Sequence, residues 1–229
     1  MFEHHGLERS ERQNVILAGY LATIAGFVDA VGVVELDRFT SHVTGTVVRT
    51  TAALSQHAGH PIEGLAMLAM FLAGAILSSS LLESSAFSRV PNAYGVALAV
   101  EATLLLGVAF SSVALHSWQV AALCCAMGMQ NALVTRLSGA LVRTPHLTGV
   151  VTDRGIEIGR WLRYWRVQRV RTVERPVAGR IKLLGSIACA FIAGATAGAF
   201  AAADWRLKVL VLPATLLAAG STVAFLRQR

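Results

Sequence analysis

The pattern His-x-Thr-Gly occurs twice, as SHVTGT over Ser41–Thr46 and as PHLTGV over Pro145–Val150. These residue types suit the start of a short helix. A hydroxyl at Ser41 or Thr44, and at Thr144 or Thr148, can accept from the first backbone N–H groups. Gly45 and Gly149 let a neighbour or ligand approach the main chain closely. The N–H groups and dipole of such a helix start favour an anion or a polar oxygen. His42 and His146 complete the two candidate sites, and neither has a metal-ligand partner nearby. Surface turns inherited by gene duplication would carry the same residues, so that reading stays open beside the functional one.

Three more polar residues lie inside apolar runs: Asp29, Glu101 and Asn131. An acid at such depth costs about 2.5–3.5 kcal/mol on insertion scales, and it usually faces a cavity or a partner. A carboxyl that binds and releases a proton there offers a route to proton coupling. The structural alternative is an Asp–Asn or Asp–Arg pair that locks helices together.

The elements that must position these residues follow from composition. The 229 residues are 55% hydrophobic and only 14% charged, where a soluble domain carries about 25% charged residues. That balance indicates a membrane protein. A spanning helix needs about 20 mainly apolar residues. Six stretches qualify: Val15–Leu36, Ile62–Leu82, Tyr94–Leu115, Trp118–Leu137, Ile181–Ala202 and Leu207–Phe225. Gln130 and Asn131 interrupt the fourth, and Pro213 predicts a kink in the sixth. The polar opening MFEHHGLERSERQN lacks the basic start and cleavage site of a signal peptide, so the first run is expected to stay as a span. With six spans, only Arg38, Arg49, Arg206 and Lys208 of the 20 Lys and Arg fall on one side. The positive-inside bias predicts cytoplasmic termini in a bacterial inner membrane. Cys124, Cys125 and Cys189 lie in apolar runs without metal-ligand spacing, so neither a disulfide nor a metal site is expected, and no cofactor is implied.

The two His-x-Thr-Gly segments belong to a longer repeat. GFVDA (Gly26–Ala30) corresponds to GMQNA (Gly128–Ala132), FLAGA (Phe71–Ala75) to FIAGA (Phe191–Ala195), and EATLL (Glu101–Leu105) to PATLL (Pro213–Leu217), all in the same order. Asp29 thereby corresponds to Asn131 and Glu101 to Pro213. A unit of three spans is odd, so its second copy enters the membrane from the opposite side. The expected fold is an all-α membrane protein of about six helices in two inverted three-helix repeats, each with a Thr-Gly half-helix or re-entrant element. The boundaries are a tail over 1–14, the first repeat over 15–115, the second over 116–226 with a basic connection over 153–182, and a tail over 227–229. Gly74 and Ser78, and likewise Gly194 and Gly198, have the small-xxx-small spacing of close helix packing, within the chain or in a homodimer.

In the basic connection Ile158, Trp161, Leu162 and Trp165 fall at i, i+3, i+4 and i+7, with Arg160, Arg163 and Arg166 largely on another face. This predicts an amphipathic helix on the bilayer surface meeting anionic lipid headgroups. Positive-inside bias accounts for the charge, so nucleic acid is not an expected partner.

The run GFVDAVGVVELDRFTSHVTGT, with FLAGA, EATLL, GMQNALVTRLSG and PHLTGVVTD, resembles the YoaK family of bacterial multi-pass membrane proteins, classed as a domain of unknown function. The resemblance runs from about Gly19 to the last span. Where that family usually has Asn after the first Thr-Gly, this chain has Thr46. The resemblance implies an inner-membrane protein of about six spans and supplies no catalytic residues. No HExxH, GxSxG, GxGxxG or P-loop pattern is present, so no enzyme is expected. The leading expectation is a small-solute transporter or permease, anion-specific or proton-coupled. The rival is a non-transporting scaffold that responds to lipid or a partner.

Overall fold

The computed structural model describes residues 11–56, 61–83, 93–112, 116–137, 147–166 and 178–226. They form α1 (Glu11–Leu36), α2 (Val43–Ser55), α3 (Pro61–Glu83), α4 (Ala93–Ala109), α5 (His116–Leu137), α6 (Leu147–Arg166), α7 (Ala178–Trp205) and α8 (Val211–Leu226). A 3-10 turn over Arg206–Leu210 joins the last two. No strand occurs among the described residues. Val15–Leu36, Pro61–Glu83 and Gly185–Leu226 are long and apolar enough to cross a membrane, and α4 is apolar but shorter. The core is mainly apolar, but large apolar residues also cover the outer surface and several polar ones are buried. Leu65, Leu72, Ile76, Ile192 and Phe200 face outward, while Ser78, Glu101, Gln119, Gln130 and Ser221 are buried. Such a surface suits lipid, as expected for a membrane protein.

Six long helices alternate in direction. Arg206 reaches Glu35, and the Gly194 and Gly198 faces meet Thr23 and Phe27, so α1 and α7 run parallel. His116 approaches Glu63 and Arg136 pairs with Glu83, so α3 and α5 also run parallel. Ser221 donates to the Gly95 carbonyl, while Ala109 and Leu207 line one cavity, so α4 and α8 run antiparallel. These three pairs make the largest helix contacts of the molecule.

Glycines allow the parallel pairs to touch backbone to backbone. A side chain on Gly26 would strike the Phe191 carbonyl, and one on Gly194 the Thr23 carbonyl. Likewise Gly128 lies on the Phe71 carbonyl and Gly74 on the Cys125 carbonyl. In lipid, where burial of apolar surface gives little drive between helices, such close packing carries the association. The small-xxx-small residues therefore serve contacts within the chain.

Helix ends set the loops. The Asp37 N–H bonds to the Val33 carbonyl and the Arg38 N–H to Gly32, with Asp37 at φ 52°. The Asp37 bond is that of an αL helix stop, made here without glycine. Arg206 ends α7 in the same left-handed conformation. Pro213, from which the sequence predicts a kink within the sixth span, is placed near a helix start. It lies in the first turn of α8, next to the 3-10 turn, where its missing N–H breaks no established ladder. The described part of α4 stops at Ala109, short of the expected Leu115, and residues 113–115 lie outside the described ones.

The two remaining helices, α2 and α6, pack on α3 and α7, respectively. Each starts inside its His-x-Thr-Gly segment. The second Thr-Gly and the basic amphipathic stretch, separate in the sequence reading, form the single helix α6.

Candidate functional site

Asp29 sits one turn after Gly26 on α1. Gly32, a further turn-step along, lies under the Thr40 methyl and the Arg38 carbonyl. The chain can therefore fold back over α1 after the stop at Asp37. That fold-back delivers four donors to one carboxylate. Asp29 Oδ1 accepts from the Thr40 N–H at 2.9 Å, the Thr40 hydroxyl at 2.8 Å and the Ser41 N–H at 2.9 Å. Oδ2 accepts from the Ser41 hydroxyl at 2.5 Å. Charge-assisted bonds of this kind are about twice as strong as neutral ones. The Ser41 hydroxyl, expected as a helix cap, is thus committed to Asp29. His42 occupies the cap position without a side-chain cap bond.

The His42 ring is exposed and folds over Gly45, where a side chain would collide with Nδ1. It also meets Phe39 edge-on, with ring centroids 5.7 Å apart. Thr44 is exposed. Thr46 is buried and turns its hydroxyl to the His42 carbonyl. The loop is pinned to α3 by Arg38, whose Nε and Nη2 donate to the two Glu63 oxygens at 3.2 and 3.0 Å. That hydrogen-bonded carboxylate raises the Arg38 pKa further above its ordinary value. His116 Nε2 lies 3.9 Å from Glu63, so the starts of α3 and α5 share this anchor.

In the second half, Thr148 and Gly149 are exposed at the start of α6, and nothing crowds Gly149. His146 lies outside the described residues. Asn131, the counterpart of Asp29, is half-buried, and its Oδ1 has no hydrogen-bond partner. Asp29 therefore binds the loop that leads into α2, while Thr44 and Thr148 both face outward.

Glu101 is different in kind. It is 1% exposed in the middle of α4, and neither carboxyl oxygen has a partner. Both amide atoms of buried Gln130 and the Ser78 hydroxyl share that condition. These groups lie on α3, α4 and α5, which pack on one another. Sequence reasoning named Glu101 and Asn131 but passed over Gln130, read only as an interruption, and Ser78, read as a packing residue. An amide within an apolar run was the available signal for Gln130.

Above this interior, a cavity of about 570 Å³ opens where α1, α4 and α7 end and α5 and α8 begin. Glu35, Ser111, Gln119, Asp204, Arg206 and Lys208 line it. Glu35 is held by Arg206 at 3.0 Å. Gln119, 1% exposed, donates to the Ser111 hydroxyl and the Ser112 carbonyl.

On α6, Arg160, Trp161 and Arg163 are exposed beside Ile156, Ile158 and Leu162. Arg160 donates to the buried Glu157 at 2.9 Å. The side chains of Trp165 and Arg166 lie outside the described residues. Among the described residues no cluster of three or more His, Cys, Asp or Glu is placed to hold a metal.

No curated protein and no solved structure matches this chain. A family model described as "Protein of unknown function (DUF1275)" matches residues 17–223. That span takes in all six long helices, both Thr-Gly elements and Glu101, and on it the chain belongs to the DUF1275 family.

Proposed function

We propose that this chain is a YoaK-like, six-span permease of the bacterial inner membrane that moves a small polar solute, without enzymatic activity. The observation that carries the reading is the polar interior. Ser78, Glu101, Gln130 and Asn131 present atoms with no protein partner inside a bundle whose outer surface is apolar. Polar groups at this depth are retained at a cost, and they mark solute or ion paths. The cavity lined by Gln119 and Lys208 supplies an approach from one end.

Two inverted three-helix repeats fit the same picture. The glycine exchange between α1 and α7 recurs between α5 and α3, with each residue replaced by its counterpart in the repeat. The third helices of the two units run antiparallel, the arrangement that a pseudo-two-fold axis between inverted units produces. Transporters of this architecture bind near the midplane. On this reading both termini are cytoplasmic and α6 lies on that face, its arginines meeting anionic lipid headgroups.

Uptake and efflux across proteoliposomes, over a panel of small anionic, cationic and zwitterionic solutes, test the proposal. Protein-dependent movement of one solute class is expected. A well-folded protein that moves none of them would favour a lipid-responsive scaffold, a reading supported by the exposed Trp161, Leu162 and Arg163 on α6. A C-terminal reporter fusion tests the topology, and a periplasmic signal would overturn the six-span count.

A further inference from the structure

We infer that Glu101 is the proton carrier of this protein, an inference that rests on the permease reading above. The geometry separates the two intramembrane acids. Asp29 uses both oxygens to hold Thr40 and Ser41, so its chemistry is spent on a loop. Glu101 holds nothing. A buried carboxyl that contributes no structural bond, in a bundle where an apolar residue would pack better, is retained for what its proton does.

Its surroundings suit a group that alternates between two forms. One turn before Glu101 on the same face of α4, Leu98 meets Gly220 of α8, which also lies under the Tyr20 hydroxyl. That hydroxyl donates to the Leu216 carbonyl at 2.6 Å and lies within electrostatic reach of Glu101. The other titratable groups of the described helices around it can be named. Along Val211–Leu226 α8 has none, and α3 has acids only at Glu63 and Glu83 near its ends. Between His116 and Arg136, α5 contributes the buried thiols Cys124 and Cys125. Of the acids of α1, Asp29 is held in its loop and Glu35 by Arg206, and Glu11 is the first residue of the helix. Arg206 and Lys208 line the end cavity near Ala109, about 12 Å along the helix from Glu101 at 1.5 Å per residue. Among the described residues no cation pairs with the carboxyl, and an unpaired buried charge is costly.

The cycle balances simply. The carboxylate takes a proton from one face of the membrane, forming an O–H bond. A shift of α4 against α8 exposes it to the other face, the O–H bond breaks and the proton leaves. No electron moves. The α8 side of this contact is suited to shifting, because it begins with the 3-10 turn and Pro213, the counterpart of Glu101.

Infrared spectroscopy of the purified full chain in liposomes tests the inference, with the proton itself as the probe. The native protein should show a carboxylic-acid carbonyl band at neutral pH. The band should shift in heavy water and fade reversibly as pH is raised. It should be lost in Glu101→Gln and unchanged in Asp29→Asn. Should Glu101→Gln not fold, Glu101→Asp should keep a titrating band at a shifted position. A band that is absent from the native protein, survives in Glu101→Gln, or never titrates overturns the inference. The same liposomes loaded with the solute panel separate it from the reading beneath. Under an imposed pH gradient the native protein should concentrate its solute, and Glu101→Gln should only equilibrate it. Solute movement indifferent to the gradient sinks the carrier role and leaves the permease. A titrating band with no solute moved by any panel member sinks the permease, and the carrier role with it.

Discussion

The segments that follow the first long helix of each half are built from the same pattern and hold themselves differently. In the first, Asp29 gathers four donors from Thr40 and Ser41, Arg38 ties the loop to Glu63, and the His42 ring closes over Gly45. In the second, Asn131 stands where Asp29 did, with its carbonyl oxygen unpartnered, and Gly149 has open space above it. The short helix also changes character. Arg49 is the single charged residue of α2, whereas α6 carries arginines and acids along its length. The first segment thus closes as a clasp on Asp29, while the described residues of the second show an open Gly149. In the long helices the two halves are alike, with Gly26 and Gly128 each lying on a facing phenylalanine carbonyl.

That contrast can be broken or sharpened in several ways. The largest effect is expected where the halves agree. Gly26→Leu and Gly128→Leu each force a side chain into a facing carbonyl. Both should cost more than the about 1–3 kcal/mol of ordinary overpacking, seen as loss of monodisperse protein in detergent. Gly159→Leu, where nothing lies nearby, should have no such effect. If only one of the two core variants collapses, the halves are not equivalent.

Next comes the clasp. Asp29→Ala strands two backbone N–H groups and two hydroxyls, and should lower stability by about 3 kcal/mol. Asn131→Ala removes an amide whose oxygen is unpaired and should cost about 1 kcal/mol or less. Thermal unfolding in a single detergent compares them, and equal losses would erase the distinction drawn here. The Arg38–Glu63 pair, partly buried and doubly bonded, should contribute about 1 kcal/mol in a double-mutant cycle. Smallest of all, Arg163→Ala should leave detergent stability unchanged. It should weaken stabilisation by anionic lipid by less than about 1 kcal/mol, an effect that salt abolishes.

Much of the scaffold was legible in the sequence, and the reason is physical. Apolar runs such as Pro61–Glu83 must be helical in lipid, and matched glycines at Gly74 and Gly194 mark equivalent close contacts. The Thr-Gly segments were readable as helix starts. What they were for was less readable, because the sequence does not say where the chain folds back. The return over Gly32 turned Ser41 from an expected cap into a ligand of Asp29. The acids were equally visible, but their roles depend on which donors the loops bring. Asp29 is satisfied by residues eleven and twelve positions onward, whereas Glu101 meets none. Pro213 misled for a related reason, since a proline in a helix interior and one in a first turn look the same until the 3-10 turn before it is known.

The pairing of α1 with α7, and of α3 with α5, has a consequence for how the chain is made. Neither half is a closed unit, since the second helix of each packs on the first helix of the other. The Thr23 surface of α1 receives Gly194 only after the intervening chain has been synthesised. At about 5–20 residues per second that wait lasts roughly ten to thirty seconds. Throughout it, α1 sits in the bilayer with its small-residue face turned to lipid. The acid that will clasp the loop after α1 is already in the membrane. Before α7 is made, α3 and α5 can already pair while α1 and α4 still lack their main partners, and the last two helices supply both.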